Sequence, residues 1–352
     1  MKREILPNGE MIKSIEHRGP KGIPISLDFW NYGNTSLAHC RALTEIFNEY
    51  PSDVVYYMPE MPGYDASPFP GRPEYTWTRG GALCTSTAAD AQIYIGGWDE
   101  LDACLASFPD PNLPEIFGDF LRRKGIGGRE KYSVASFCYF FFERHWSLRG
   151  MENALTDYLL YPDEVHRLYR ALCEFYKVIV KRSKKELDCN GFFVTDDLGS
   201  QDALMLSPGV FREFLKPYYK EIIDLCHESG MHFWLHSCGN ITEIMDDLIE
   251  IGIDVIHPIQ YGAMDQREIV SRYKGRVCFW AGMEMQYVLQ NGTEEEVRAR
   301  ARELIETFSG KDGGLIVGFG NGITEDIPPE NVRAFTDEAW KHRCFEQKEA
   351  RR

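Results

Sequence analysis

The feature that most constrains the fold of this chain is a repeat of short apolar runs, each followed by a segment with helical spacing or a helix-capping signal. These runs are apolar throughout and do not alternate, which indicates strands of a parallel sheet that is buried on both faces. Eight such units in 352 residues predict an α/β fold, a single (β/α)8 TIM barrel. The predicted strands are 24–30, 53–58, 131–142, 191–197, 231–238, 254–260, 277–284 and 313–320.

Two further regions are predicted around the barrel. Residues 1–22 are polar and rich in Gly and Pro, which indicates an N-terminal arm ahead of a barrel that occupies residues 23–352. Residues 61–110 contain several prolines and short aromatic runs. Because a structureless loop of this length is unusual in a compact domain, we interpret the segment as an inserted hairpin and helix that cover the barrel mouth.

The charge balance restricts the partners. A formal net charge of -15 argues against nucleic acid or an anionic membrane, since both require a basic surface. No apolar run approaches the length of a membrane helix, and the first residues lack the apolar core of a signal peptide. Ten cysteines without a C-x-x-C pair are typical of reduced thiols, so the expected location is cytoplasmic.

The fifth predicted strand ends in His236-Ser237-Cys238-Gly239. Residues i and i+2 of a strand point to the same side, so His236 and Cys238 would face one point. Imidazole and thiolate are both zinc ligands, which makes the pair a candidate metal site. The alternative interpretation is a core histidine beside a core cysteine.

In a TIM barrel, functional side chains follow the carboxyl ends of the strands. Adjacent carboxylates such as Asp196 and Asp197 raise the pKa of one member, which would suit a proton donor, although either residue could instead cap a helix. Trp30 and Tyr57, together with Phe140, are candidates for an aromatic wall, although such residues are more often core. The polar candidates at the predicted strand ends are Asp28, Glu143, Asp196, Asp197, Gln260, Glu284 and Asn321.

Several longer motifs resemble the uroporphyrinogen decarboxylase superfamily, in particular its branch of zinc-dependent, corrinoid-linked methyltransferases. The resemblance runs from about Pro24 to the last predicted helix and is most specific from Asp196 onward. The motifs are Glu143-Arg144, Leu148-Arg149-Gly150, Asp196-Asp197-Leu198-Gly199-Ser200-Gln201, Ser207-Pro208, Lys216-Pro217-Tyr218-Tyr219, His236-Ser237-Cys238-Gly239-Asn240, Phe279-Trp280-Ala281-Gly282 and 326–332.

The chain departs from both branches of the superfamily. True decarboxylases carry an Arg-rich motif near the first strand, whereas here no arginine precedes Arg41 in that region. The methyltransferase branch supplies a second cysteine after the eighth strand, where this chain has Gly320. Glu284 is then the candidate third ligand beside His236 and Cys238; otherwise the metal is weakly held or absent.

The resemblance implies a methyltransferase that moves a methyl group between a small methoxy compound, methylamine or thiol and a corrinoid. Zinc would activate the substrate, while Asp196, Asp197 and Glu143 would act as catalytic residues. Asp28, Trp30, Tyr57, Gln260 and Asn321 are the predicted substrate-binding residues. Because no D-x-H-x-x-G corrinoid pattern is present, a partner protein would carry the corrinoid. A metal-independent lyase or decarboxylase and a non-catalytic binding protein are the alternatives.

Overall fold

The computed structural model describes residues 3–27, 36–62, 68–77, 91–118 and 130–344. Its strands are Ile25–Ser26 (β1), Val54–Tyr57 (β2), Tyr132–Phe137 (β3), Gly191–Thr195 (β4), His232–His236 (β5), Val255–His257 (β6), Cys278–Met283 (β7) and Leu315–Phe319 (β8). All neighbours pair in parallel, in the order β1-β8-β7-β6-β5-β4-β3-β2.

The two edge strands of this sheet meet through Asp53, which directly precedes β2. Its backbone N–H donates to the carbonyl of Ile25 at 2.9 Å, and its carboxylate accepts the N–H of Ile25 at 2.7 Å. Arg343 donates to the same carboxylate at 2.6 Å. These contacts bring β1 and β2 together, so the predicted (β/α)8 TIM barrel is confirmed.

Helices surround the barrel and alternate with its strands. Two helices, not one, follow β3 before Pro162, because Gly150 adopts a φ of +76°, which a helix cannot continue. The described α-helices are Asn8–Ile15 (α1), Leu37–Glu49 (α2), Leu101–Leu105 (α3), Phe142–Arg149 (α4), Met151–Leu160 (α5), Pro162–Leu187 (α6), Lys216–Glu228 (α7), Met245–Glu250 (α8), Gln266–Tyr273 (α9), Glu294–Phe308 (α10) and Pro329–His342 (α11), with a helical turn Pro208–Val210 and a π-helical segment Phe211–Leu215 ahead of α7.

The predicted N-terminal arm contains the helix α1. Met11 and Ile15 project from it into the same buried cluster as Trp234 and Trp280, which come from β5 and β7. The hydroxyl of Ser14 donates to the carbonyl of Leu315 at 3.1 Å. The arm therefore packs against the barrel strands and contributes to the hydrophobic core.

The described parts of the predicted insert at 61–110 pack against α6. Trp77 contacts Phe175 of α6 with ring centroids 5.4 Å apart and Phe108 at 4.9 Å. Within this stretch a 3-10 turn, Trp98–Glu100, leads into α3. The covering of the barrel mouth by the whole segment stays a prediction. No helix among the described residues is long and apolar enough to cross a bilayer.

Candidate active site at the barrel mouth

Three potential metal ligands converge where β4 and β5 end. Asp197, His236 and Cys238 place one ligand atom each within 4.8 Å of one another. His236 Nε2 lies 3.3 Å from the Cys238 sulfur and 3.5 Å from Asp197 Oδ1. The structure thus brings the predicted pair His236 and Cys238 together, with Asp197 as the third member.

A second histidine determines which nitrogen of His236 carries the proton. His257 ends β6 in register with His236, and its Nε2 lies 2.8 Å from the carbonyl oxygen of Phe319. A carbonyl only accepts, so His257 donates from Nε2 and presents a lone pair at Nδ1. His236 Nδ1, 2.7 Å from that atom, must donate to it. Burial lowers the pKa of His236 to about 3, so Nε2 of this neutral ring keeps its lone pair.

This arrangement fits a zinc ion. The Nε2 lone pair faces a carboxylate oxygen and a sulfur, and electron-rich atoms this close favour a shared cation. In tetrahedral zinc sites with metal–ligand distances of about 2.0–2.3 Å, neighbouring ligand atoms lie roughly 3.3–3.8 Å apart. The separations of 3.3 Å and 3.5 Å agree with that edge length. Three protein ligands would leave the fourth position for substrate, as in catalytic zinc sites.

Asp196, the neighbour of Asp197, points elsewhere and is fully buried. Its carboxylate accepts the backbone N–H groups of Phe141, Phe142 and Glu143 at 3.3, 3.2 and 2.7 Å. The hydroxyl of Tyr219 donates to it at 2.6 Å. Burial raises the pKa of Asp196 to about 6, although the hydrogen bonds from these donors act to lower it. These contacts indicate that Asp196 caps the first turn of α4.

Glu143 lies in that first turn and is 7% exposed. Its pKa is raised well above the ordinary range, first by burial and then by the charges of Asp197 and Asp196. The hydroxyl of Thr195 donates to Glu143 Oε2 at 2.6 Å, which leaves Oε1 to carry a proton. Glu143 is therefore a buried carboxylic acid beside the three candidate ligands, and its acid–base role stays a prediction.

A cavity of about 230 Å³ adjoins the thiol of Cys238. Asn321 and Gln260, both predicted to bind substrate, line it together with Cys238. The amide of Asn321 donates towards the Cys238 sulfur at 3.5 Å, while Gln260 accepts the N–H of Gly239 at 2.8 Å. Both residues thus lie beside the candidate metal ligands.

Glu284 also lines this cavity, but its carboxylate is occupied. It accepts the backbone N–H groups of Gln286 and Val288, each at 2.6 Å, and that of Tyr287 at 3.0 and 3.1 Å. Glu284 therefore caps the π-helical segment Met285–Leu289. It is not part of the group formed by Asp197, His236 and Cys238.

Gly320, at the position where the methyltransferase branch has a cysteine, has no room for a side chain. A Cβ on Gly320 would lie 2.7 Å from the carbonyl oxygen of Met283, and the Gly320 N–H donates to this same oxygen at 3.1 Å. The backbone of β8 thus approaches that of β7 at the place where the resemblance implies a ligand.

Two of the remaining predicted residues, Tyr57 and Phe140, pack into the hydrophobic core. Tyr57 ends β2 and packs half-buried against the hydrophobic core, and Phe140 is fully buried there. Asp28 and Trp30 lie outside the described residues. His257 was missed by the sequence reasoning, although a histidine that ends an apolar run, like His236, was a usable signal.

Comparisons with known proteins identify the family of the chain. The family model of uroporphyrinogen decarboxylase (URO-D) matches residues 145–342. Uroporphyrinogen decarboxylase of Schizosaccharomyces pombe is 27% identical over 146 residues, 39% of each chain. The methylcobamide:CoM methyltransferase MtbA of Methanosarcina mazei is 23% identical over 174 residues, 49% of this chain and 48% of the relative. The chain thus spans less than half the length of these curated relatives.

A solved structure has the same fold over almost the whole chain. It is a methyltransferase from Methanosarcina mazei, which matches with a TM-score of 0.69 at 14% identity and covers 96% of this chain and 99% of its own. At this identity the likeness concerns the fold.

Proposed function

Because the chain belongs to the uroporphyrinogen decarboxylase family, as the match over residues 145–342 shows, we propose that it is a corrinoid-dependent methyltransferase. The reaction moves a methyl group between a small substrate and a corrinoid carried by a partner protein. The similarity to a methylcobamide:CoM methyltransferase supports methyl transfer as the reaction. The convergence of Asp197, His236 and Cys238 on one point beside a cavity is the observation that carries the proposal.

In this proposal Asp197, His236 and Cys238 hold zinc, and Asp197 takes the third-ligand role that the sequence suggested for Glu284. Bound zinc would act as a Lewis acid on a substrate heteroatom, so that a thiol ionises or an ether or amine becomes a better leaving group. Asp197 and ionised Cys238 together balance the charge of the metal. His257 keeps His236 oriented through the 2.7 Å contact, as outer partners of metal-bound histidines do.

The other residues handle the proton and the substrate. Glu143, kept protonated by burial, supplies a proton from Oε1 to a departing alkoxide or amine. Gln260 and Asn321 line the cavity and orient the substrate beside Cys238. In this proposal the corrinoid domain docks at the barrel mouth, where the segment 61–110 is predicted to form a cap. A cytoplasmic location is part of the proposal and is supported by a sequence of ten cysteines without a C-x-x-C pair.

The proposal is tested by methyl transfer from free methylcobalamin to a panel of thiols, followed by the loss of the methylcobalamin absorbance. Zinc-loaded wild type is compared with Cys238→Ala and Glu284→Gln. We expect turnover by the wild type and by Glu284→Gln, and loss of at least a hundredfold in Cys238→Ala. Equal rates in wild type and Cys238→Ala would contradict the proposal. Demethylation assays with methoxy compounds and methylamines plus a corrinoid protein then identify the substrate.

A metal-independent decarboxylase is the second candidate function. Two relatives, from Schizosaccharomyces pombe and Danio rerio, are uroporphyrinogen decarboxylases, and Glu143 beside Asp197 provides a proton donor for such chemistry. Uroporphyrinogen turnover in the presence of a chelator, retained in Cys238→Ala and lost in Asp197→Asn, would favour this candidate.

A further inference from the structure

A second cavity, of about 300 Å³, lies beside the carboxyl end of β3 and contains a buried arginine, Arg144. The side chain comes from the first turn of α4 and is 3% exposed. The guanidinium carbon lies 4.3 Å from the ring centroid of Trp77 and 5.4 Å from that of Tyr139. A cation in the first turn of a helix also opposes the helix dipole. The chain thus maintains a positive charge where neither burial nor the helix favours it.

Arg144 has no carboxylate partner among the described residues. Among the described residues its Nε is buried without a hydrogen-bond acceptor, and its one side-chain hydrogen bond there is a long one, from Nη1 to the hydroxyl of Ser147 at 3.5 Å. Buried charges in proteins are normally paired and hydrogen-bonded. A buried guanidinium without a carboxylate in the described part of the chain is the observation that points to an anionic ligand.

The other buried arginines of the described chain are paired. Arg149, on the same helix, donates to both oxygens of Asp157 at 2.9 and 3.0 Å. Arg343 donates to Asp53 at 2.6 Å, and Arg300 donates to Glu303, also at 2.6 Å. Arg144 is thus the exception in a protein that otherwise neutralises its buried guanidinium groups.

The cavity offers one positive charge, from Arg144, and largely apolar walls. Phe137, Phe175 and Met61 contribute to its walls. The hydroxyl of Ser136, which also lines it, is buried and has no hydrogen-bond partner in the described part of the chain. Glu60 is a lining residue too, which disfavours a ligand with several negative charges. One guanidinium and one hydroxyl fit one carboxylate, since Arg binds carboxylates through two parallel hydrogen bonds.

We propose that this cavity binds the carboxylate of a small organic acid with a flat apolar body, and that this acid is the methyl-transfer substrate. The assignment as substrate rests on the proposed function. The cavity lies near Glu143, because the N–H of its lining residue Tyr139 donates to Thr195 Oγ1 at 3.0 Å and Thr195 donates to Glu143. The guanidinium and the apolar walls favour an aromatic acid, and the proposed methyl transfer adds the methoxy group, so a methoxylated aromatic acid is the proposed substrate class.

Calorimetric titration tests the proposal with 3-methoxybenzoate and its neutral analogue 3-methoxybenzamide. We expect the wild type to bind the acid at least tenfold more tightly than the amide, and Arg144→Met to bind both equally weakly. Arg144→Lys should retain the preference with reduced affinity, because the charge remains and the planar fork is lost. Equal affinity of the wild type for acid and amide would overturn the proposal, as would tighter binding of inorganic phosphate than of the acid.

Two readouts separate this inference from the proposed function. The titration needs no turnover, so binding of the acid by the wild type combined with failed methyl transfer refutes the methyltransferase and supports the anion site. The thermal midpoint of ligand-free Arg144→Met should not fall below that of the wild type, because no ion pair is lost. The acid should raise the midpoint of the wild type and leave that of Arg144→Met unchanged; a rise in both would count against Arg144 as its binding group.

Discussion

The adjacent carboxylates Asp196 and Asp197 should have opposite mutational phenotypes. Asp196→Ala removes the acceptor of four donors, the N–H groups of Phe141, Phe142 and Glu143 and the hydroxyl of Tyr219. Asp197→Ala removes the acceptor of one backbone donor, the N–H of Cys238 at 2.8 Å. The side chain of Asp197 is 40% exposed, so water can replace it there. Water cannot replace the carboxylate of Asp196 in the same way, because Asp196 is fully buried.

The loss in free energy of unfolding can be approximated from these contacts. Leaving four buried donors unsatisfied at roughly 1.5–2 kcal/mol each costs about 7 kcal/mol. Removing the buried charge offsets part of this loss of stability, since a rise in pKa from 3.8 to about 6 corresponds to about 3 kcal/mol. The net expectation is a loss of about 4 kcal/mol for Asp196→Ala. For Asp197→Ala we expect about 1 kcal/mol or less.

Urea unfolding followed by circular dichroism and tryptophan fluorescence measures both values. A chelator must be present throughout, because a metal bound only to the folded state would add its own stabilisation. Tyr219→Phe, which removes one of the four donors, is the matched control and should cost less than Asp196→Ala. Equal midpoints for wild type and Asp196→Ala, or an equal loss in the two Asp variants, would refute the assignment of a structural role to Asp196.

Three further predictions concern other positions. Burial would raise the pKa of Asp157, but hydrogen bonds from His145 and Arg149 lower it to about 2. The resulting stabilisation of about 2 kcal/mol is complete above pH 4 and is lost as the pH falls through 2. Asp157→Asn should therefore flatten the plot of unfolding free energy against pH between these values. An unchanged slope would contradict the lowered pKa of Asp157. Gly320→Cys should lower the unfolding midpoint without raising zinc affinity, because its Cβ would meet a backbone oxygen at 2.7 Å; tighter zinc binding would show that the strand ends can separate. His257→Phe should weaken zinc binding roughly 10–100-fold in chelator competition, and unchanged affinity would argue against its orienting role.

The sequence was sufficient for the barrel and for the adjacency of His236 and Cys238, because both depend on local periodicity. Apolar runs identify buried parallel strands, and the i, i+2 spacing places His236 and Cys238 on one side of β5. The α1 helix was missed because its apolar face is short. Met11 and Ile15 were its signal, four residues apart.

The roles of the carboxylates depended on distant partners. Asp196 caps a helix whose first residues precede it by more than fifty positions, so no local pattern distinguished it from Asp197. Glu284, in contrast, directly precedes the π-helical turn that it caps, and acidic residues at helix starts are a known capping signal. Arg144 was noticed only as part of a motif, because the absence of a partner is visible only once the chain is folded.

The most direct test of the metal site is the zinc content of the purified, zinc-incubated protein. Wild type is compared with Asp197→Asn, His236→Ala, Cys238→Ala and Glu284→Gln. We predict about one zinc per chain in the wild type and in Glu284→Gln, and loss in the other three, because Asp197, His236 and Cys238 converge while Glu284 caps a helix. A wild type without zinc, or loss of zinc in Glu284→Gln with retention in Asp197→Asn, would contradict it.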